Sequence, residues 1–265
     1  MVVPHQWHGA GSPLLLIAGL GARGTSWHPF LEQATGHHRI LTFDNRGAGA
    51  GPAIDGPVSI RDMARDVLDL LDDLGIDRIP VMGRSMGGMI AQELALLAPE
   101  RVSRLVLVAT TGRVDPHLRE LFTLWAQLAE SGAPPELRHR STLLWCLSPS
   151  TVQAPEIQAY LSARIRTDRP EDYAFQSRAC AVHDALERLK GLRIPTLVVC
   201  GENDRFMPTP HARALAAAIP RSRLRCIPGV GHLAYLEAPD RFAAEVLGFL
   251  AARPQGGKRV ACLSA

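Results

Sequence analysis

The stretch Gly83–Gly88, GRSMGG, decides the fold of this chain. It places Ser85 in a glycine-rich turn between an apolar run at Ile79–Met82 and an apolar helical pattern at Met86–Ala98. A turn this tight from a strand into a helix holds the serine in a strained backbone conformation and leaves no room for side chains two residues away on either side. Both of those positions are glycine. The pattern therefore predicts a serine hydroxyl raised above the end of a buried strand.

The rest of the chain alternates between apolar strands and amphipathic helices. Ser59–Leu74 has helical periodicity, and Ser59 with Asp62 forms a capping-box start. Further strands are predicted at Leu14–Ala18, Arg39–Phe43, Leu105–Ala109, Thr196–Cys200 and Arg223–Ile227, and a last helix at Pro239–Ala252. Buried strands that alternate with helices predict an α/β protein with a mostly parallel, doubly wound sheet.

The alternation divides the chain into a core, an inserted helical segment and a tail. Residues 111–189 contain no predicted strand. A stretch of this length is too long for one crossover connection, so we expect a helical cap there. The core comprises 1–110 and 190–252, and 253–265 is expected to be a flexible tail. Trp7–Pro13 has the pattern of a hairpin strand's end and its turn, which predicts a reduced antiparallel edge strand.

Composition excludes several classes of partner. The formal net charge is only +3, and no basic block with interleaved aromatic residues occurs, so no nucleic-acid partner is expected. No apolar run approaches about 18 residues, so no membrane association is expected. The five cysteines are scattered without a CxxC pair, which favours reduced thiols in the cytoplasm. The histidines lack the spacing of metal ligands, and we expect neither a metal nor a cofactor.

A base and an acid follow Ser85 in the order that a serine nucleophile requires. The hydroxyl needs a histidine to accept its proton and a carboxylate to orient that histidine. His232 lies in the loop after the strand at Arg223–Ile227, and Asp204 lies in the loop after the preceding strand. Loops at the carboxyl ends of parallel strands surround one crevice. Glu202 is the alternative acid, and the Gly-x-x-Asp spacing favours Asp204.

Other residues are candidates for binding the reacting group. The backbone N–H groups of Met86 and Leu20 are predicted to form an oxyanion hole, since one follows the serine and the other lies in the loop after the first strand. Arg84 is a candidate for binding a substrate carboxylate, with pairing to a protein carboxylate equally open. Trp125 and Trp145 are candidates for the pocket wall in the cap, with a role in the core as the alternative.

At this point the chain resembles the α/β-hydrolase superfamily from Leu14 to Ala252, most of all the bacterial enol-lactonase and carbon–carbon hydrolase branch. The resemblance rests on AGLG, FDNRGAG, GRSMGG, GENDRFMP and GVGHLAYLEAP in register. Three departures occur: Ala18 replaces the usual histidine before the oxyanion loop, Gly51 replaces a serine, and Leu233 replaces the tryptophan common in carbon–carbon hydrolases. The last departure favours ester or lactone chemistry.

Together these features predict a serine hydrolase that cleaves a small carboxylic ester or lactone through an acyl-enzyme. Two alternatives remain open. The fold also hosts lyases, cyclases and carbon–carbon hydrolases of secondary metabolism or aromatic degradation, which use the same Ser-His-Asp site. A binding protein that has lost catalysis is the third reading, and the complete order of serine, acid and histidine argues against it.

Overall fold

The computed structural model describes residues 3–162 and 169–252. The predicted tail, 253–265, and residues 163–168 of the predicted cap lie outside the described residues. The described part contains seven strands: β1 (His5–His8), β2 (Ser12–Ile17), β3 (His38–Phe43), β4 (Ile79–Arg84), β5 (Val102–Val108), β6 (Thr196–Gly201) and β7 (Ser222–Ile227). They form one sheet in the order β1-β3-β2-β4-β5-β6-β7. Strand β1 pairs antiparallel with β3, and all other neighbouring strands pair in parallel.

Helices connect the strands and cover the sheet. In the described residues these are α1 (His28–Ala34), α2 (Ile60–Asp73), α3 (Met86–Leu97), α4 (Pro116–Glu130), α5 (Pro135–Cys146), α6 (Pro155–Ser162), α7 (Pro170–Ala181), α8 (Thr209–Ala218), α9 (Ala234–Glu237) and α10 (Pro239–Ala251). Short 3₁₀ helices occur at Gly24–Trp27, Pro99–Arg101 and Arg188–Gly191. Parallel strands with helical crossovers confirm the predicted α/β fold class.

The core lies along the central strands. The four apolar residues at 14–17 of β2 have no exposed surface, and every residue of β6 is buried. Burying an aliphatic side chain of this size contributes about 1.5–3 kcal/mol. Helix α2 begins at the predicted capping box, in which the Asp62 amide donates to Ser59 and the Asp62 carboxylate accepts from the Ser59 amide. Among the described residues, no helix has the length and apolarity needed to cross a membrane.

The amino-terminal edge differs from the expected hairpin. Strand β1 has only four residues, which agrees with a reduced edge strand, but it pairs with β3 rather than with β2. The reason is that β2 already has β3 on one side and β4 on the other. Helices α1 and α8 were not predicted, because each has ten residues or fewer and little room for a periodic pattern.

Helices α4–α7 lie between β5 and β6, in the stretch where the strand pattern stops. Strands β5 and β6 are neighbours in the sheet, so the chain leaves the sheet and returns to it at adjacent positions. An antiparallel bridge joins Arg113 to Asp184 at that point, and the Arg113 guanidinium also donates to the Asp184 carboxylate at 2.9 Å. The amide of Ala185 donates to the carbonyl of Gly112 at 2.7 Å. Both ends of the segment are therefore tied together.

Candidate active site

Ser85 occupies the turn between β4 and α3 in a strained backbone conformation. Its φ is 56° and its ψ is −123°, a left-handed φ that side chains other than glycine rarely adopt. The two flanking glycines allow the turn to close. A Cβ on Gly83 would lie 2.1 Å from the carbonyl oxygen of Gly87, and a Cβ on Gly87 would lie 2.2 Å from the carbonyl oxygen of Ile17. The sequence pattern around Ser85 thus has a direct steric cause.

We expect Gly83→Ala to destabilise the fold by about 3 kcal/mol, because the new methyl group overlaps the backbone of Gly87 and Gly88, which cannot move without disrupting the first turn of α3. Gly248→Ala is the matched control, since a Cβ there meets nothing within 4 Å on the exposed side of α10. That control should stabilise by about 0.5–1 kcal/mol. Urea unfolding of the three proteins measures both effects, and equal stabilities would contradict the steric account.

Hydrogen bonds from neighbouring elements fix the position of Ser85. Its amide donates to the carbonyl of Val108 at 2.9 Å, at the end of the neighbouring strand. Its carbonyl accepts from the hydroxyl of Thr110 at 2.8 Å and from the amide of Gly88 at 2.9 Å. The serine is only 6% exposed. Its backbone is held by the ends of two strands and by the first turn of α3.

Asp204 and His232 meet in the interior. The Nδ1 atom of His232 lies 2.8 Å from Oδ2 of Asp204, and both side chains are almost fully buried. The second carboxylate oxygen, Oδ1, accepts from the amides of Phe206 at 2.9 Å and Met207 at 2.8 Å. These bonds orient the carboxylate toward the histidine. The ring of Phe206 packs against the imidazole, with centroids 4.8 Å apart.

The alternative acid, Glu202, points elsewhere. Its side chain is exposed and accepts from the amide of Gly229 at 3.0 Å. The histidine loop has its own brace in Glu237, whose Oε1 accepts from the amide of Gly231 at 3.0 Å. The amide of His232 donates to the carbonyl of Cys146 at 2.8 Å. The imidazole is therefore positioned by the sheet, by α9 and by the end of α5.

Ser85 and His232 open onto the same cavity of about 210 Å³, which Leu20 also lines. The loop of Leu20 passes close to the serine: a Cβ on the neighbouring Gly19 would lie 3.2 Å from the Cβ of Ser85. Within residues 3–162 and 169–252, the amides of Leu20 and Met86 make no hydrogen bond. The first amide of a helix lacks an intrahelical partner, and such groups bind anions readily.

Gln176 was not singled out from the sequence, yet it supports the loop of Leu20. It is fully buried on α7. Its Oε1 accepts from the amide of Gly21 at 2.8 Å, and its Nε2 donates to the carbonyl of Arg46 at 2.6 Å. A glutamine on a helix carries no local signal for this role, because the contact spans the long distance in sequence between α7 and the first loop.

The predicted binding residues take different positions. Arg84 is buried and lines the cavity, and it donates to the hydroxyl of Tyr235 at 2.6 Å. Trp125 also lines the cavity, and its Nε1 donates to Ser141 at 3.2 Å. Trp145 is absent from the described cavity wall and packs instead against His117, with ring centroids 5.5 Å apart. Of the two tryptophans, the structure brings only Trp125 to the cavity.

Two further groups in the cavity wall have altered ionisation. Burial raises the pKa of the Cys146 thiol, so it stays protonated at neutral pH and lacks the thiolate that a cysteine nucleophile needs. Burial also raises the pKa of Tyr173 to about 12, which keeps its hydroxyl neutral. Neither residue therefore supplies an ionised nucleophile to the cavity. Neither was a candidate nucleophile from the sequence.

Comparison with known proteins finds one family model and many relatives. The model of the alpha/beta hydrolase fold family matches residues 12–239. The protein called "Putative carbamate hydrolase RutD" from Azorhizobium caulinodans is 32% identical over 256 residues, covering 92% of this chain and 93% of its own. "Putative non-heme bromoperoxidase BpoC" from Mycobacterium tuberculosis is 35% identical over 253 residues, covering 92% and 95%.

A solved structure with a similar fold is the enol-lactonase from Burkholderia xenovorans LB400. It superimposes with a TM-score of 0.86 at 26% identity, and the match covers 94% of this chain and 96% of that one. The relatives therefore span nearly the full length of the chain while their names describe different reactions. The shared feature is the fold.

Proposed function

Because the chain belongs to the alpha/beta hydrolase fold family and is a hydrolase, we propose that it cleaves a small carboxylic ester or lactone through an acyl-enzyme. The observation that carries the proposal is the hydrogen bond between Asp204 and His232. His232 lines the same cavity as Ser85, whose backbone is strained. A serine, a histidine and a carboxylate in that relation are the components of nucleophilic acyl transfer.

In the proposed mechanism, the hydroxyl oxygen of Ser85 attacks the carbonyl carbon. His232 accepts the serine proton at Nε2, because its Nδ1 is directed at Asp204. The carbonyl oxygen becomes negative and is stabilised by the amides of Leu20 and Met86. His232 then gives the proton to the leaving alcohol, or to the ring oxygen of a lactone. Water repeats the sequence on the acyl-enzyme and releases the acid.

The helices α4–α7 are proposed to act as a cap over the site. Trp125 on α4 lines the cavity beside Ser85, and so do Thr142 on α5 and Tyr173 on α7. Substrate that enters the cavity would contact these side chains. The names of the relatives agree with carbonyl chemistry, since a carbamate and an enol-lactone each contain a carbonyl group.

The experiment that tests the proposal is reaction with a fluorophosphonate, which transfers its phosphorus to an activated serine with loss of fluoride. We expect one adduct by intact mass, located on the peptide that contains Ser85. Ser26, the other serine of the described cavity wall, is the internal control and should remain unlabelled. His232→Gln should slow the labelling by about 10²-fold or more, because the serine loses its general base.

A second candidate function keeps the site and changes the reaction. It is a lyase, cyclase or carbon–carbon hydrolase, and it is retained because one relative bears the name of a reaction other than hydrolysis. Hydrolysis of 4-nitrophenyl butyrate in ¹⁸O-labelled water separates the two. The ester hydrolase incorporates one solvent oxygen into the butyrate. Labelling of Ser85 without any hydrolysis of esters or lactones would favour the second candidate.

A further inference from the structure

Arg84 is a buried cation that forms no ion pair with any described residue. It is only 6% exposed, at the end of β4 directly before Ser85. Its guanidinium donates to the hydroxyls of Tyr235 at 2.6 Å and Ser26 at 3.4 Å, and its Nε has no hydrogen-bond partner. In the part of the chain that the structure describes, no carboxylate lies within ion-pair distance of this arginine. Both of these acceptors are hydroxyl oxygens.

The neighbouring rings do not replace an anion. The guanidinium carbon lies 4.8 Å from the ring centroid of Tyr235 and 5.5 Å from that of Trp27. Removing a charge from water without a partner costs more free energy than a cation–π contact of this kind returns. The fold therefore retains a cation at a net cost, which is typical of a group whose partner arrives with a ligand.

Among the described residues, the wall of the cavity contains further positive charge and no carboxylate. Arg138 lines it together with Arg84, and no aspartate or glutamate belongs to its described wall. The Nε of Arg138 is also buried without a hydrogen-bond partner, and the guanidinium lies 5.6 Å from the ring centroid of Tyr173. A cavity with low-dielectric walls and one sign of charge concentrates ligands of the opposite sign.

We propose that the substrate is an anionic ester or lactone, and that Arg84 binds its carboxylate while Ser85 attacks its carbonyl. The inference rests on the proposed function, since it names the substrate class of the same site. A guanidinium fork matches a carboxylate with two charge-assisted hydrogen bonds. Arg84 and Ser85 are adjacent in sequence and line one cavity of about 210 Å³, so the carboxylate and the carbonyl are separated by a short chain.

The test compares an anionic and a neutral ester of similar size, 4-nitrophenyl hydrogen glutarate and 4-nitrophenyl hexanoate. We expect the unmodified protein to favour the glutarate ester in kcat/KM. Arg84→Met should lower kcat/KM for that ester by about 10- to 100-fold, mainly through KM, and should remove the preference. Arg84→Lys should keep part of it. Arg39→Met is the matched control, because Arg39 is an exposed arginine that stacks on Trp7 outside the cavity.

A merely structural role for Arg84 gives a different result. If the arginine only braces the turn, Arg84→Met lowers the rates of both esters equally and lowers Tm, and this outcome overturns the proposal. Under the proposal, Tm stays the same or rises, because an unpaired buried charge has been removed. A preference of the unmodified protein for the neutral ester also overturns the proposal.

A binding measurement separates this inference from the proposed function. Calorimetry with glutarate uses Ser85→Ala protein with and without Arg84→Met. We expect the dissociation constant to rise about 10-fold or more when the arginine is lost. Glutarate binding that is absent, or that does not depend on Arg84, overturns the anion site even if esters are hydrolysed. Binding that depends on Arg84 without hydrolysis of any ester supports the anion site and overturns the proposed function instead.

Discussion

Ser85→Ala is expected to lower kcat for 4-nitrophenyl butyrate by about 10⁵-fold or more, because the acyl-enzyme has no oxygen on which to form. The backbone should not change. Alanine has the same φ preferences as serine, and the bonds that hold this residue come from its amide and carbonyl, to Val108, Gly88 and Thr110. Steady-state kinetics measures the loss, and circular dichroism with thermal unfolding measures the fold.

The control for that substitution is Ser131→Ala, which removes an exposed hydroxyl at the end of α4 outside the cavity. Its kcat should stay within about twofold of the unmodified protein, since surface changes of this kind are small in effect. Retention of more than about one hundredth of kcat by Ser85→Ala would mean that a different group attacks the ester.

Asp204→Asn is expected to lower kcat by about 10⁴-fold without unfolding the protein. The side-chain oxygen of the asparagine can accept hydrogen bonds from the amides of Phe206 and Met207, as Oδ1 of Asp204 does in the unmodified protein. Its NH₂ group then faces Nδ1 of His232 in place of Oδ2. A donor at this position stabilises the tautomer whose proton is on Nε2, and that nitrogen can no longer accept the proton of Ser85.

Glu202→Gln is the matched control, because Glu202 is an exposed carboxylate on the same loop whose contact is the amide of Gly229. Its kcat should remain within about twofold of the unmodified protein. A large loss in Glu202→Gln together with a small loss in Asp204→Asn would reverse the assignment of the acid. Kinetics with 4-nitrophenyl butyrate over a range of pH gives both comparisons.

The strands of the fold could be predicted from the sequence where their residues are fully buried. The strands β2, β4 and β6 are continuous apolar runs because both faces of a parallel sheet are covered. Strand β5 begins at Val102, three residues before the predicted Leu105, because Ser103 and Arg104 interrupt its apolar run. The edge strand β1 has no fully buried residue, so its pattern did not reveal that its partner is β3.

The neighbouring positions of the three candidate catalytic residues could be predicted from their order in the chain. Ser85, Asp204 and His232 each come directly after a strand, and the carboxyl ends of parallel strands meet at one edge of a sheet. The wall of the cavity did not follow in the same way. Trp125 and Trp145 both lie on helices between β5 and β6, and which of them faces the cavity depends on how α4 and α5 pack together.

Sequence also left the partner of Arg84 open between a substrate carboxylate and a protein carboxylate. Its position before Ser85 fixes its location, but its surroundings come from Ser26, Trp27 and Tyr235, which lie far away in the chain. A local sequence pattern does not reveal whether a carboxylate lies near Arg84 in the folded chain. Such information exists only after the chain has folded.

The bridge between Arg113 and Asp184 bears on how proteins of this shape diversify. Since the helical segment leaves and rejoins the sheet between two adjacent strands, its helices can lengthen or shorten without altering the spacing of Ser85, Asp204 and His232, provided that the contacts of Cys146 and Gln176 with the core are kept. Selection can therefore act on recognition and on bond cleavage separately. Relatives that keep one scaffold while bearing the names of a carbamate hydrolase, a bromoperoxidase and an enol-lactonase are what such independence would produce.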